Sequence, residues 1–526
     1  MTTARDAVRL AHQASFGPNE TLVAEIQAST PANWIGAQMK LKTSRYTRGG
    51  TAAVHQWTVK DKEYCDGKGD DCWRDNFSTT PLLWDFYRNA VSEPDQLRQR
   101  VAFALGQIVV TSGLEVSGTY GFRLHHNNLL DLAFDNYRQV LKKTALSPVM
   151  GDFLNNANND KAAPNENFAR ELLQLFAIGT CELTDDGSLK GGKCLPTYDN
   201  ATVRAYAYAL TGWTYAKGGA TSYGCWPEGA NCRYYGGDMV AVARYHDSTE
   251  RTLLAGIKVP AGSTAEQALE KVLDSLMVHP NTAPFVARHL IQQLVTSNPS
   301  AAYVARVATA FRSGKSGTFG AGVNGDLAAT VAAVLLDAEA RNEVPARRTG
   351  QLREPALMFT GVLRALNGRS DGDALGWWWG ETMRQHVHRS PSVFNYYPPD
   401  YPLPGNANGL VGPAFALHNA NSALERLNYL TYLLWWGGSA PETSVPGAIG
   451  TRVDLSAFQA DVADPAKLVD RFSKLAYGAP LPAATRTEVI RAVQAFDAGT
   501  GNDWQSNRVK QAAYLVFGAP QYQVIR

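Results

Sequence analysis

The chain has no excess of charge of either sign. Fifty basic side chains against 48 acidic ones leave +2 over 526 residues. A nucleic-acid binder that relies on counterion release would carry a basic stripe, so that class is set aside. No run of about 18 apolar residues occurs, so no membrane-spanning helix is expected. Charged residues are only 19% of the chain and hydrophobic ones 45%, against a usual charged share of about 25%. Disorder is thereby excluded for most of the length, because there is enough apolar surface to offset chain entropy. Several standard catalytic signatures are missing too. There is no H-E-x-x-H zinc helix and no G-x-S-x-G nucleophile elbow. Gly320–Gly325 (GAGVNG) matches G-x-G-x-x-G, but it follows the helical pattern AAYVARVATAFRSGK instead of a strand. It is read as a loop, and no cofactor is implied.

Cysteine is scarce but orderly. The six residues form three local couples, Cys65/Cys72, Cys181/Cys194 and Cys225/Cys232, each bracketing a Gly/Asp- or Gly/Pro-rich segment. Six cysteines allow fifteen pairings; nearest-neighbour pairing is favoured because each segment can turn back on itself. None of the couples has the C-x₂₋₄-C spacing of a zinc site, and no metal site is assigned. Disulfides imply an oxidising compartment, hence a periplasmic or secreted protein. The opening MTTARDAVRLAH has no charged n-region and apolar h-region. The expectation is a mature chain whose signal peptide has been removed.

Helical periodicity dominates what remains. Leu97, Val101, Leu105 and Ile108 fall on one stripe of DQLRQRVAFALGQIVV. Comparable stripes run through 129–141, 168–178, 203–210, 265–277, 284–295, 302–311, 327–335 and 357–366. Only short pieces, 108–112 and 253–259, alternate as strands do. The predicted fold is mainly α: one large helical domain over 1–526 with long ordered loops and few short strands. A sub-boundary near 260–265 would separate a motif-rich N-terminal half from a helical C-terminal half. The loops are aromatic, with Trp213, Tyr215 and Trp226 close together, and loops of that kind commonly carry binding residues.

The densest polar stretch is 124–179. On the helix after Pro164, Phe168, Leu172, Leu175 and Phe176 make an apolar face, while Asn167, Glu171 and Gln174 line another. Glu171 is the candidate general acid or base, with Asp152, Asp160 or Asp247 as a second carboxylate. Asn155, Asn158, Asn165 and Asn167 would orient a hydroxyl-rich ligand. Amides gathered at one place need partners, and an internal hydrogen-bond network is the alternative. Arg170 either pairs with Glu166 one turn earlier or grips a uronate or sulfate. His126, with Asp131 or with His246 and Asp247, could form an acid–base or metal pair.

Eight segments occur in a telling order: RLAHQASFGP, DQLRQRVAFALGQI, PNENFARELLQLFAIG, ALTGWTY, HDSTERTLLAG, HPNTAPFVARHL, LREPALMFTGVLRAL and SPSVFNYYPPDYPLPG. Together they resemble the bacterial family catalogued as domain of unknown function 1800, over nearly the whole chain. The resemblance implies an exported protein whose genes often neighbour those of a co-exported, sulfatase-like family. It singles out Asn165, Glu166, Asn167, Arg170, Glu171, Thr211, Gly212, Trp213, His246 and Asp247 as motif positions without assigning them a reaction. Arg251 stands where the family pattern often has lysine. The leading expectation is an exported carbohydrate-active enzyme that cleaves a polysaccharide by carboxylate acid/base chemistry. The rivals are a non-catalytic exported partner that binds a polymer or protein in secretion or surface assembly, and a metalloenzyme built on His126 and His246.

Overall fold

The computed structural model describes residues 2–53, 58–59, 62–216, 234–344, 346, 348–405 and 409–526, with backbone only at 58–59 and 62–63. Among the described residues there are 23 α-helices, and the strands form four two-stranded antiparallel sheets. No helix among the described residues is long and apolar enough to cross a membrane.

Local chemistry accounts for the helix boundaries. Thr264 accepts from Gln267 N while the Gln267 side chain returns to the Thr264 backbone, a reciprocal cap that starts the Ala265–Val278 helix. Asp326, Ser300 and Asn419 cap their helices in the same sense. The stripe Leu97, Val101, Leu105 and Ile108 is buried throughout. Of the two strand candidates, 253–259 contributes Lys258–Val259, paired with Arg251–Thr252 in a hairpin. The other supplies only Ser112, in a single bridge to Arg389. One contiguous apolar core runs from Ala7 to Ile525 and includes Val259 and Ala268, on either side of 260–265. Cys65–Cys72 and Cys181–Cys194 are disulfide-bonded; Cys225 and Cys232 lie outside the described residues. On the chain-entropy account, closing loops of this size stabilises by roughly 2–3 kcal/mol each.

The 164–179 segment differs from a simple helix. It is α-helical only over Asn167–Glu171 and continues as a π-helix over Leu172–Ala177. The wider turn keeps Leu172, Leu173 and Phe176 buried but swings Leu175 to the edge of a cavity. Gly179, at φ +73°, stops the segment with Phe285 3.3 Å from where a Cβ would stand, a position that favours glycine.

Elements distant in sequence are joined by buried arginines that bind main-chain carbonyls at helix C-termini. Arg98 donates to Met39 O (2.8 Å) and Leu41 O (2.6 Å) at the end of the Pro31–Lys40 helix. It also donates to Leu130 O (2.8 Å) at the end of Thr119–Leu132. Arg364 donates to Gly17 O (2.7 Å) and, at the end of Thr80–Ser92, to Val91 O (2.8 Å). The last four carbonyls of a helix have no partner inside it and carry partial negative charge, so a fork of N–H donors suits them. Arg353 and Arg426 do the same for the C-terminus. Arg353 donates to Tyr522 O (3.0 Å), and Arg426 donates to Arg353 O (2.7 Å) and Gln523 Oε1 (2.8 Å). Val524–Ile525 is thereby held as a strand against Gln351–Leu352.

Arg98→Met should therefore destabilise the fold by about 2 kcal/mol or more, since one buried and two partly buried carbonyls lose their donor, at about 1–3 kcal/mol for a fully buried one. Urea unfolding followed by circular dichroism measures this; a loss below about 1 kcal/mol would show that solvent reaches those carbonyls.

Candidate functional site

The asparagine-rich turn folds as a network. Asn155 and Asn158 adopt left-handed backbone (φ 58° and 60°), which asparagine tolerates better than most side chains. Asn155 Oδ1 accepts from Asn167 Nδ2 at 3.1 Å. Asn158 Oδ1 accepts from the Thr214 hydroxyl at 2.6 Å, and its N–H reaches Trp213 O at 2.7 Å. Asn159, not singled out in the sequence, bonds the Asn165 backbone from both amide atoms (2.7 and 3.3 Å), and Asn165 Oδ1 accepts from Asn167 N at 2.9 Å. Gly212 passes so close to His246 that a Cβ would meet its backbone at 3.0 Å. Trp213 and Tyr215 are buried and present no face to solvent; Trp226 lies outside the described residues.

The carboxylates are dispersed among separate partners. Asp152 accepts from the Tyr215 and Tyr235 hydroxyls. Asp160 accepts from Ala162 N at 3.0 Å. Asp247 pairs with Arg251 at 2.7 Å and accepts from Thr249 at 2.9 Å. Arg170 pairs with Glu166 at 3.1 Å in a partly exposed bridge. Glu171 is different. It is 7% exposed, its Oε2 has no hydrogen-bond partner, and burial pushes its pKa above the ordinary carboxyl value, opposed by the Arg170 charge. Asn156 likewise has both amide atoms buried without partners. His246 Nδ1 lies 2.9 Å from Thr211 O, and its Nε2 is buried and unbonded.

His126 packs against other histidines: its ring lies 4.2 Å from that of His388 and 5.3 Å from that of His125. Among the described residues, no three or more His, Cys, Asp or Glu side chains are placed to hold a metal ion together.

A cavity of about 460 Å³ opens elsewhere, within the range of small-molecule sites. Five of the eight segments quoted above contribute to its wall: Gln107 is the penultimate residue of DQLRQRVAFALGQI and Gln174 belongs to the π-helix. Phe285, Arg288 and His289 come from the Thr282–Leu294 helix, and Glu354 and Asn395 from the last two segments. Some of its polar groups are bonded to each other. Gln107 Nε2 donates to Gln293 Oε1 (2.9 Å) and Gln107 Oε1 accepts from Asn395 Nδ2 (3.0 Å). Glu354 Oε2 accepts from Gln385 Nε2 (2.6 Å) and the Tyr397 hydroxyl (2.7 Å). Asn395, at φ 65°, is another left-handed asparagine.

Elsewhere in the wall, which also carries the exposed Phe394 and Asp400, polar atoms are left over. His289 Nδ1 donates to Phe285 O (2.8 Å), which leaves Nε2 with its lone pair, and burial lowers the ring to about 4. Gln292 Nε2 donates to Ser297 O (3.0 Å) and Pro399 O (3.1 Å), which fixes its amide orientation and leaves Oε1 buried without a donor. Gln351 Nε2 is buried without an acceptor. Sequence reading missed this site because its amides sit on segments hundreds of residues apart and form no local pattern. The available signal was the shared membership of those segments in one resemblance.

The fold and the cavity define a disulfide-clasped, mainly α-helical protein with a ligand-sized hollow walled by carboxamides. The chain matches the model of a protein family of unknown function, DUF1800, over residues 9–524, and belongs to that family. No curated protein and no solved structure matches it.

Burial holds His125 near 4 and His388 near 3, both below the ordinary imidazole value of 6.5. As pH falls below 6.5 the unfolded chain takes up protons that the folded chain refuses. The stability owed to these neutral rings is thus complete above about pH 6.5 and is lost as pH falls toward 4. Where both resist protonation, the slope should approach roughly 2.7 kcal/mol per pH unit, about 1.4 for each ring. Guanidinium unfolding at pH 7.5, 6.5, 5.5 and 4.5 measures it, and a flat profile would mean that the rings bind protons in the fold.

Proposed function

We propose that the chain is an exported polymer-binding protein that holds a stretch of polysaccharide, or another hydroxyl-rich polymer, in the 460 Å³ cavity. The observation that carries this reading is the composition of the cavity wall. Gln107, Gln174, Gln292, Gln293 and Gln351 supply planar donors and acceptors, and Phe285, Leu175 and Pro398 supply apolar surface beside them. Sugars require this pairing: hydroxyls that hydrogen-bond in plane and C–H faces that lie on apolar walls. The two disulfides support an oxidising compartment. A panel of polysaccharides offered to the purified protein tests the reading. One or more should be retained, and Phe394→Ala, at the exposed rim, should weaken binding about 2- to 10-fold with the fold intact, as expected for one aromatic contact. Absence of binding across the panel would end it.

A second reading, cleavage of the polymer, draws on Glu171. A buried carboxyl with an unpartnered oxygen and a raised pKa suits a group that delivers a proton. Against it stand the partners that already engage Asp152, Asp160 and Asp247, because glycoside hydrolysis typically needs two carboxyl groups flanking the bond. If this reading holds, shortened products appear by mass spectrometry with the unaltered protein and vanish with Glu171→Gln. Product formation that survives the substitution rejects Glu171 as the acid.

A further inference from the structure

Three unpartnered groups in the cavity wall differ in kind, and together they describe a ligand. The Arg288 guanidinium is half-buried in the wall and makes no hydrogen bond or ion pair among the described residues. Asp400 attracts it electrostatically but is exposed in the cavity wall, where water screens it. The other carboxylate in the wall, Glu354, is already bonded to Gln385 and Tyr397. Gln292 lies one helical turn beyond Arg288, so the two share a face. Its Oε1 is a buried acceptor that lacks a donor, with the amide orientation fixed by two carbonyls. Gln351 Nε2, on the strand that the C-terminus holds in place, is a buried donor that lacks an acceptor. Such groups are costly to leave unmatched. A cation, an acceptor and a donor are matched by a negative group, a hydroxyl proton and a hydroxyl oxygen.

We infer that the polymer unit seated here is an acidic sugar: its carboxylate or sulfate ester lies on Arg288, one hydroxyl donates to Gln292 Oε1, and another accepts from Gln351 Nε2. This rests on the cavity being the polymer site. The planar guanidinium favours oxyanions, which it can grip with two parallel N–H donors. The ligand is recognised by its charge as well as its hydroxyls, which separates it from neutral glucans of the same size.

Matched pairs of ligands test the inference by isothermal titration calorimetry. Oligogalacturonates and alginate oligomers are offered as free acids and as methyl esters, and dextran oligomers with and without sulfate esters. Within a pair the sugar skeleton is the same, and the members differ in whether the anionic group is present and unmasked. The unaltered protein should bind at least one charged member roughly 10- to 100-fold more tightly than its neutral partner, the span expected when a hydrogen bond to a charged group is added. The pair that shows the preference tells carboxylate from sulfate. Arg288→Gln should bring that ratio close to one by weakening the charged member, and Arg288→Lys should keep part of it. Equal binding of charged and neutral members, or a preference that survives Arg288→Gln, overturns the inference and leaves the polymer reading standing. Failure of every ligand to bind overturns both.

Discussion

A buried guanidinium that donates into the carbonyl end of a helix is the interaction on which this architecture depends. A fold with 23 α-helices leaves many C-terminal carbonyls unsatisfied, and several of these ends are turned inward, away from water. Arg98 serves two helices at once, and Arg364 joins the end of Thr80–Ser92 to the loop at Gly17. Arginine is suited to the task because its five donors are rigid and its charge persists when desolvated. Burial brings Arg364 down only to about 10, so it remains a cation at any physiological pH. Apolar packing supplies most of the stability, and the arginines decide which helix end meets which loop.

The cavity follows from the same device. One wall includes the strand Gln351–Leu352, which is held by Val524–Ile525, and that terminal strand is fastened through Arg353 and Arg426. Another part of the wall is the π-helix, whose wide turn brings Gln174 and Leu175 to the edge while Phe176 and Leu172 stay inside. The wall of the hollow thus includes a helix that departs from regular geometry and a strand that the last residues of the chain hold in place. Some wall amides are bonded to one another, whereas Gln292 Oε1 and Gln351 Nε2 are unmatched.

Much of the fold was legible in the primary structure, and the reasons are local. The 3.6-residue stripe of Leu97, Val101, Leu105 and Ile108 has one burial solution, and caps such as Thr264 with Gln267 lie within a single turn. The couples Cys65/Cys72 and Cys181/Cys194 are close enough for their own turns to pair them. The site was less legible. Asn155, Asn158, Asn165 and Asn167 do gather, but their side chains bond each other and Thr214, and whether neighbouring amides face inward or outward is not a property of their spacing. His126 found His388, 262 positions away in the chain, as its neighbour, and no local pattern relates the two.

The amino-acid order by itself determined the class of the protein: helical, disulfide-bearing and a member of one recognisable family. The first two follow from periodicities and spacings that act within about twenty residues, whereas membership rests on segments in order along nearly the whole chain. Tertiary structure alone decided where the hollow lies and which polar groups are left without partners. Gln107, the helix that carries Arg288 and Gln292, and Gln351 come from three separate elements, and a group's lack of a partner depends on every element packed around it. Satisfaction of hydrogen bonds is a global sum, and it exists only once the chain has closed on itself.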